Sequence, residues 1–257
     1  MTSKQVLSIR NLSVNFGGLK ALSNVSIDLN QGEVLGLIGP NGAGKTTVFN
    51  ALSGLVEPAS GSLELYGRKS KWLKPHQLVT NGIARTLQGV GLFPDLTVIE
   101  NVMMGAQVSA KAGLVQSFLG FAEHDEDHLR ELAQTALERV YVGSLAERRA
   151  DTLAYPDTKR VAIARALVSN PRILLLDEPA GGLGPQDIEW LNGLIRNIKS
   201  HTSIIIVEHH MDVVMSICDR ISVLNFGELI ASGSKDDVRN SPDVIAAYLG
   251  SKKAGAK

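Results

Sequence analysis

A chain of 257 residues is long enough to bury a full core without staples, and its one cysteine, Cys218, excludes an internal disulfide framework or a cysteine zinc cluster. Hydrophobic residues make up 44% and charged residues 20%, with no low-complexity tract, which excludes a disordered or fibrous protein. Lys plus Arg and Asp plus Glu number 26 each, so there is no overall basic excess to attract nucleic acid, although a local basic patch stays open.

The opening MTSKQVLSIRNLSV has no apolar core followed by a small-residue cleavage site. VLSI, VSIDL and SLELY then read as short alternating strands separated by turn residues, an antiparallel β region. EVLGLIG (33–39) reads as a buried strand, followed by a glycine-rich loop and a helix near 44–54. Between about 95 and 170 the character changes. VIENVMMGAQ, HLRELAQTALERV and TKRVAIARALV carry helical periodicity, the mark of an inserted helical subdomain. RILLLDE (172–178) and TSIIIVE (202–208) are two more buried strands, and RISVLNFGELIASG (220–233) is a hairpin around Asn225-Phe226-Gly227. Ser241-Pro242 opens a last helix, a capping serine followed by proline at the first helical position. The alternation predicts an α/β domain with a mainly parallel sheet. Aliphatic runs such as IIIV at 204–207 are far short of a membrane span, so a cytosolic protein is expected, held at any membrane by another chain.

The strongest local signal is Gly39-Pro40-Asn41-Gly42-Ala43-Gly44-Lys45-Thr46, which fits G-x-x-x-x-G-K-[ST] between a strand and a helix. Glycines 39, 42 and 44 let the backbone curl so that successive N–H groups converge on phosphate oxygens, and the helix N-terminus adds further donors. Lys45 supplies a point charge to the β- and γ-phosphates, and the Thr46 hydroxyl is a hard oxygen ligand suited to Mg²⁺. Asp177, at the tip of a buried strand, can hold the magnesium shell through water, while Glu178 can polarise the attacking water as a general base. A histidine in Glu208-His209-His210, just past another strand, could reach the γ-phosphate. All three groups fall at carboxyl ends of strands, where open α/β sheets bind ligands.

With these motifs in place, the chain closely resembles the ATP-binding subunits of ABC transporters along nearly its whole length. The resemblance implies a P-loop NTPase (RecA-like) fold over 1–257, with a catalytic core at 1–92 and 171–235, a helical subdomain carrying the signature at 93–170, and a helical tail at 236–257. It implies ATP and Mg²⁺ as cofactors. Phe16 matches the aromatic that stacks on adenine, Gly39 to Thr47 the Walker A loop, and Gln88 in IARTLQ the glutamine that contacts magnesium. Asp177 and Glu178 match Walker B and its catalytic glutamate, and His209 the switch histidine. IARTLQ, LFPDLTVIENV, DEPAGGL, VEHHMDVVM and the tail SPDVIAAYLG are similar to importers of branched-chain and other hydrophobic amino acids. The implied partners are a second ABC ATPase subunit, membrane permease subunits and, indirectly, an external solute-binding protein, at the cytoplasmic face of the inner membrane; no nucleic acid partner is expected. The apolar residues around LFPDLTVIENV would form a groove for the permease.

The signature departs from the family. Where LSGGQ or LAYGQ is expected, this chain has Leu153-Ala154-Tyr155-Pro156-Asp157. The second glycine of that motif donates its N–H to the γ-phosphate bound by the opposite subunit, and proline has no N–H. Such a bond to a charged group is worth about 1.5–3 kcal/mol, or about 10- to 100-fold. Two readings follow. Either Pro156 is tolerated because the helix dipole and neighbouring donors remain, or the site that this signature completes is weak. Any damage falls on the partner's site, which predicts a heterodimer with a sister ATPase, a homodimer remaining open. Gly184, where the family often has aspartate or asparagine, would weaken communication between the two sites.

Other features are read as structural. Cys218 in VVMSIC is a small core side chain. His124 and His128 in HDEDH are a solvated helix face, since no third zinc ligand is indicated. Trp72 and Trp190 are packing or rim residues, and Arg148-Arg149, Lys252-Lys253 and Lys257 are small basic clusters.

Overall fold

The computed structural model describes residues 4–87, 89–106 and 122–253. Among the described residues no helix is long and apolar enough to cross a membrane. The chain forms two compact units, one of residues 1–78, 173–181 and 188–257, the other of residues 79–172 and 182–187.

The chain begins with two long antiparallel strands, β1 (Gln5–Phe16) and β2 (Leu19–Asn30), joined at Gly17-Gly18. Strand β3 (Val34–Ile38) leads into the glycine loop and helix α1 (Lys45–Leu52). Strands β4 (Ser60–Leu65) and β5 (Arg68–Ser70) complete an antiparallel sheet in the order β2-β1-β4-β5. The second unit carries β6 (Ile83–Arg85), α2 (Val98–Ala106), α3 (Ala122–Arg139) and α4 (Tyr155–Leu167).

The chain continues with β7 (Ile173–Asp177), α5 (Pro185–Ile198), β8 (Ser203–Val207), α6 (Met211–Ile217), β9 (Arg220–Asn225) and β10 (Glu228–Gly233). It ends with α7 (Lys235–Arg239) and α8 (Pro242–Lys253). Strands β10, β9, β3, β8 and β7 lie side by side in that order; β3 is parallel to β8 and β9, β7 is parallel to β8, and only β10 runs antiparallel. Every residue of β3, β7 and β8 is buried. That is why VLGLI, ILLLD and SIIIV read as unbroken aliphatic runs: a parallel sheet covered on both faces has no polar side to alternate.

Packing explains the small residue in the middle of β3. A Cβ on Gly36 would lie 2.9 Å from Cys218 Sγ and 3.4 Å from Val214, so α6 closes onto the sheet only because Gly36 has no side chain. Cys218 is the buried core residue expected, and burial pushes its thiol up to about 12.

In the second unit α2 and α4 approach closely. A Cβ on Gly105 would sit 2.1 Å from the Arg165 carbonyl oxygen. Thr97 and Glu100 cap α2 reciprocally: the Thr97 N–H donates to Glu100 Oε2 at 2.7 Å and the Glu100 N–H to Thr97 Oγ1 at 3.3 Å. Buried Asn101 fixes the FPDL turn, accepting the Phe93 N–H and donating to the Phe93 and Thr97 carbonyls. Of the two histidines in HDEDH, His128 is exposed on α3, while the side chain of His124 lies outside the described residues.

Candidate nucleotide site

Register brings three motifs to one sheet edge. Leu37 of β3 and Asp177 of β7 each pair with Val207 of β8, so the glycine loop, the Asp177-Glu178 pair and Glu208-His209-His210 leave the sheet at the same level. The loop then curls as its glycines require. Gly42 and Gly44 have φ of 78° and 104°, and a Cβ on Gly39 would lie 2.1 Å from the Leu224 carbonyl oxygen. At the start of α1 no side chain caps the helix, and no acidic residue occupies its first turn. Its N–H groups and the positive end of its dipole are left for an anion.

Lys45 is 8% exposed, and its Nζ donates to the carbonyls of Gly39 at 2.7 Å and Pro40 at 2.9 Å. Burial lowers its pKa, while the charges of Glu178 and Asp177 act in the opposite sense. The structure thus brings Lys45, Asp177 and Glu178 together. Asp177 is buried, Thr46 is exposed at the head of α1, and Pro40, Asn41, Ala43 and Thr47 complete the loop. Phe16 is half-exposed at the hairpin tip, opposite Leu19 across the Gly17-Gly18 turn. Gln88 lies outside the described residues.

Glu178 occupies the left-handed region, with φ 47°, and its N–H donates to the Val207 carbonyl at 2.9 Å. A glutamate held there stores backbone strain of about 1–3 kcal/mol, a cost that recurs at reacting centres. Its Oε1 lies 3.9 Å from His209 Nδ1. His209 is half-exposed and its ring is 4.2 Å from that of His210.

Sequence reasoning missed what holds these groups. Glu208 is fully buried, and its Oε1 accepts the Ala180 N–H at 2.8 Å. Its Oε2 accepts the N–H groups of His209 at 2.9 Å and His210 at 3.1 Å. That oxygen also lies 3.0 Å from His210 Nδ1, which must carry the proton because a carboxylate only accepts. Glu208, His209 and His210 present ligand atoms within 4.8 Å of one another, and the Glu208 carboxylate is already engaged by these donors in holding the two histidines and Ala180.

In the second unit the signature segment begins α4. Ala154 is its N-cap, Tyr155 and Pro156 open the first turn, and Asp157 follows. Pro156 therefore stands where a helix leaves N–H groups unbonded. Lys159 lies 5.6 Å above the Tyr155 ring, and a Cβ on Gly182 would lie 2.6 Å from that ring's edge. Gly184 has open space around it. Arg165, on the same helix, donates to the carbonyls of Val90 at 3.0 Å and Gly91 at 2.8 Å. Those carbonyls belong to Gly89-Val90-Gly91, three successive residues with positive φ, and for a β-branched valine that conformation is strained. Trp72 and Trp190 are half-buried.

Known proteins resemble this chain over nearly its whole length. The family described as ABC transporter matches residues 22–181, and that described as branched-chain amino acid ATP-binding cassette transporter matches residues 228–254. The chain is 44% identical over 253 residues to the high-affinity branched-chain amino acid transport ATP-binding protein LivG of Salmonella typhimurium, covering 96% of this chain and 99% of the relative. It is 39% identical to the corresponding protein BraF of Pseudomonas aeruginosa, with the same coverage. Among solved structures, the ADP conformation of MJ1267, an ATP-binding cassette of an ABC transporter, superposes with a TM-score of 0.83 at 30% identity, over 96% of this chain and 99% of that one. The chain belongs to the ABC transporter family and is one of its ATPase subunits.

Proposed function

We propose that this chain powers the import of branched-chain or related hydrophobic amino acids by hydrolysing ATP for partner permeases. The observation that carries the reading is the near full-length identity to LivG and BraF together with the match of the C-terminal 228–254 segment. A soluble ABC-type ATPase acting on nucleic acid or ribosomes is not favoured, because the chain has no net charge to draw a polyanion.

In this reading the N–H groups of residues 42–46 and the Lys45 ammonium hold the β- and γ-phosphates, and Phe16 takes the adenine. Glu178 accepts a proton from the attacking water, and His209 beside it orients that water toward the γ-phosphorus. Positioning and fixed charge supply most of the rate in such a transfer. The oxygen donors Thr46 and Asp177, with Gln88, fit Mg²⁺, which prefers hard oxygen ligands and keeps several waters. When bound, it neutralises charge on the phosphates.

The partners follow from the same reading. A second ABC ATPase subunit supplies a signature to this chain's nucleotide, and this chain's Leu153–Asp157 segment faces the partner's. Solved ATP-binding cassettes such as MJ0796 form dimers. The absence of an N–H at Pro156 supports a heterodimer in which the sister's signature is intact. The pair sits on permease subunits at the cytoplasmic face of the inner membrane, an external binding protein delivers the solute, and the helical subdomain at 93–170 presents the apolar LFPDLTVIENV segment to the permease.

Uptake of labelled leucine in cells expressing the chain with its permeases, and in cells carrying Glu178→Gln, tests the proposal. Uptake should fall at least tenfold in the variant. Unchanged leucine uptake when the chain is deleted would overturn it.

A further inference from the structure

The helix that opens in the signature also holds the chain that follows Glu178. The Tyr155 ring, in the first turn of α4, lies so close to Gly182 that any side chain there would strike it. Gly182 also has φ 76°, so glycine is required twice over. Further along α4, the Arg160 guanidinium donates from Nη2 to Asp187 Oδ1 at 2.8 Å. Asp187 stands in the first turn of α5, where the helix dipole favours its charge.

Exposure sets this pair apart. Its side chains are 20% and 23% exposed, whereas the pairs Arg130–Glu147 and Arg149–Asp151 of the same unit lie far more in solvent. Salt screens a withdrawn pair less and water competes less for its charges, so it holds its geometry where a surface pair is worth little. Residues 182–187 belong to the unit that carries the signature, while residues 173–181, with Glu178, belong to the other. The chain joins them through one tight turn, in which the Gly181 N–H donates to the Glu178 carbonyl at 3.2 Å. With φ at 47°, Glu178 is already strained, so a pull on Gly182 is delivered to a residue with little slack.

We propose that Arg160 and Asp187 form a positioning pair that transmits engagement of the signature to Glu178. When the partner's nucleotide draws in the Leu153–Asp157 segment, α4 carries Asp187 with it, and the 182–187 segment sets the aim of the Glu178 carboxylate. Both residues act through the chain and not on the nucleotide. A misplacement of about 1 Å at a reacting group can cost about 100-fold in rate, so a small displacement is enough. The inference rests on the reading that Glu178 hydrolyses ATP and that the signature faces a partner's nucleotide.

The test uses the full complex with permeases and a sister ATPase whose own catalytic glutamate is replaced by glutamine, so that turnover reports Glu178. A fluorescent ATP analogue gives Kd of the isolated chain, and ATPase of the complex gives kcat per folded molecule. Arg160→Ala and Asp187→Ala should each lower kcat about 3- to 10-fold with Kd within about twofold of wild type, and the double variant should lower kcat no further. Unchanged kcat in either single variant, losses that multiply in the double one, or a Kd that rises as far as kcat falls would overturn this proposal alone. If turnover of the wild-type complex is absent, or survives Glu178→Gln, the assignment of Glu178 falls and this proposal with it.

Discussion

Glu208 and Ala180 are joined by a 2.8 Å bond between a fully buried carboxylate and a buried amide, tying the turn after Glu178 to the residue before His209. The same carboxylate caps the N–H groups of both histidines, so one side chain sets the spacing between Glu178 and His209 beside it.

Removing that carboxylate should be costly in two ways. Glu208→Ala leaves the buried Ala180 N–H without an acceptor and frees the histidine backbone. Stability should fall by about 2–4 kcal/mol in denaturant unfolding. In folded protein, kcat should drop about 10- to 100-fold through misplacement of His209, with ATP affinity largely kept. Wild-type turnover in Glu208→Ala would contradict the positioning role.

The first turn of α4 makes a different prediction for Pro156. At that position no intrahelical N–H is required, and proline's fixed φ suits a helix start. Pro156→Ala should therefore change unfolding free energy by no more than about 0.5 kcal/mol. A loss above about 2 kcal/mol would mean that the ring itself holds the signature segment in place.

Cys218 gives a pH signature. Its thiol rises from 9.0 to about 12 on folding, because burial disfavours the thiolate. The unfolded chain then loses its proton first, so this residue's contribution is complete below pH 9.0 and is lost as pH rises toward about 12. Cys218→Ser should flatten that alkaline decline in unfolding free energy. In native wild type at pH 8, a thiol reagent should react far more slowly than with denatured chain.

What the amino-acid order reveals depends on how local each determinant is. Strands β3, β7 and β8 are legible because their burial on both faces writes itself as aliphatic runs, and the glycine loop because its conformation demands a fixed spacing of glycines. Pro156 and the hairpin at Asn225-Phe226-Gly227 are legible for the same reason: turn and helix-start chemistry is local. Glu208 and Arg165 are not. Each holds backbone groups far away in the chain, Ala180 for the first and Val90 with Gly91 for the second, and a backbone amide or carbonyl carries no residue signature. Only the fold brings them together. The lone hint was a glutamate directly before two histidines, which by itself reads equally well as a solvated turn.

Calorimetric titration of Mg-ATP into the purified chain, beside Lys45→Ala, addresses the loop of residues 39–46 most directly. Saturable binding at one nucleotide per chain is predicted, weakened about 10- to 100-fold in the variant by loss of a charged donor to phosphate. No detectable binding by wild type, or equal binding by Lys45→Ala, would contradict the account.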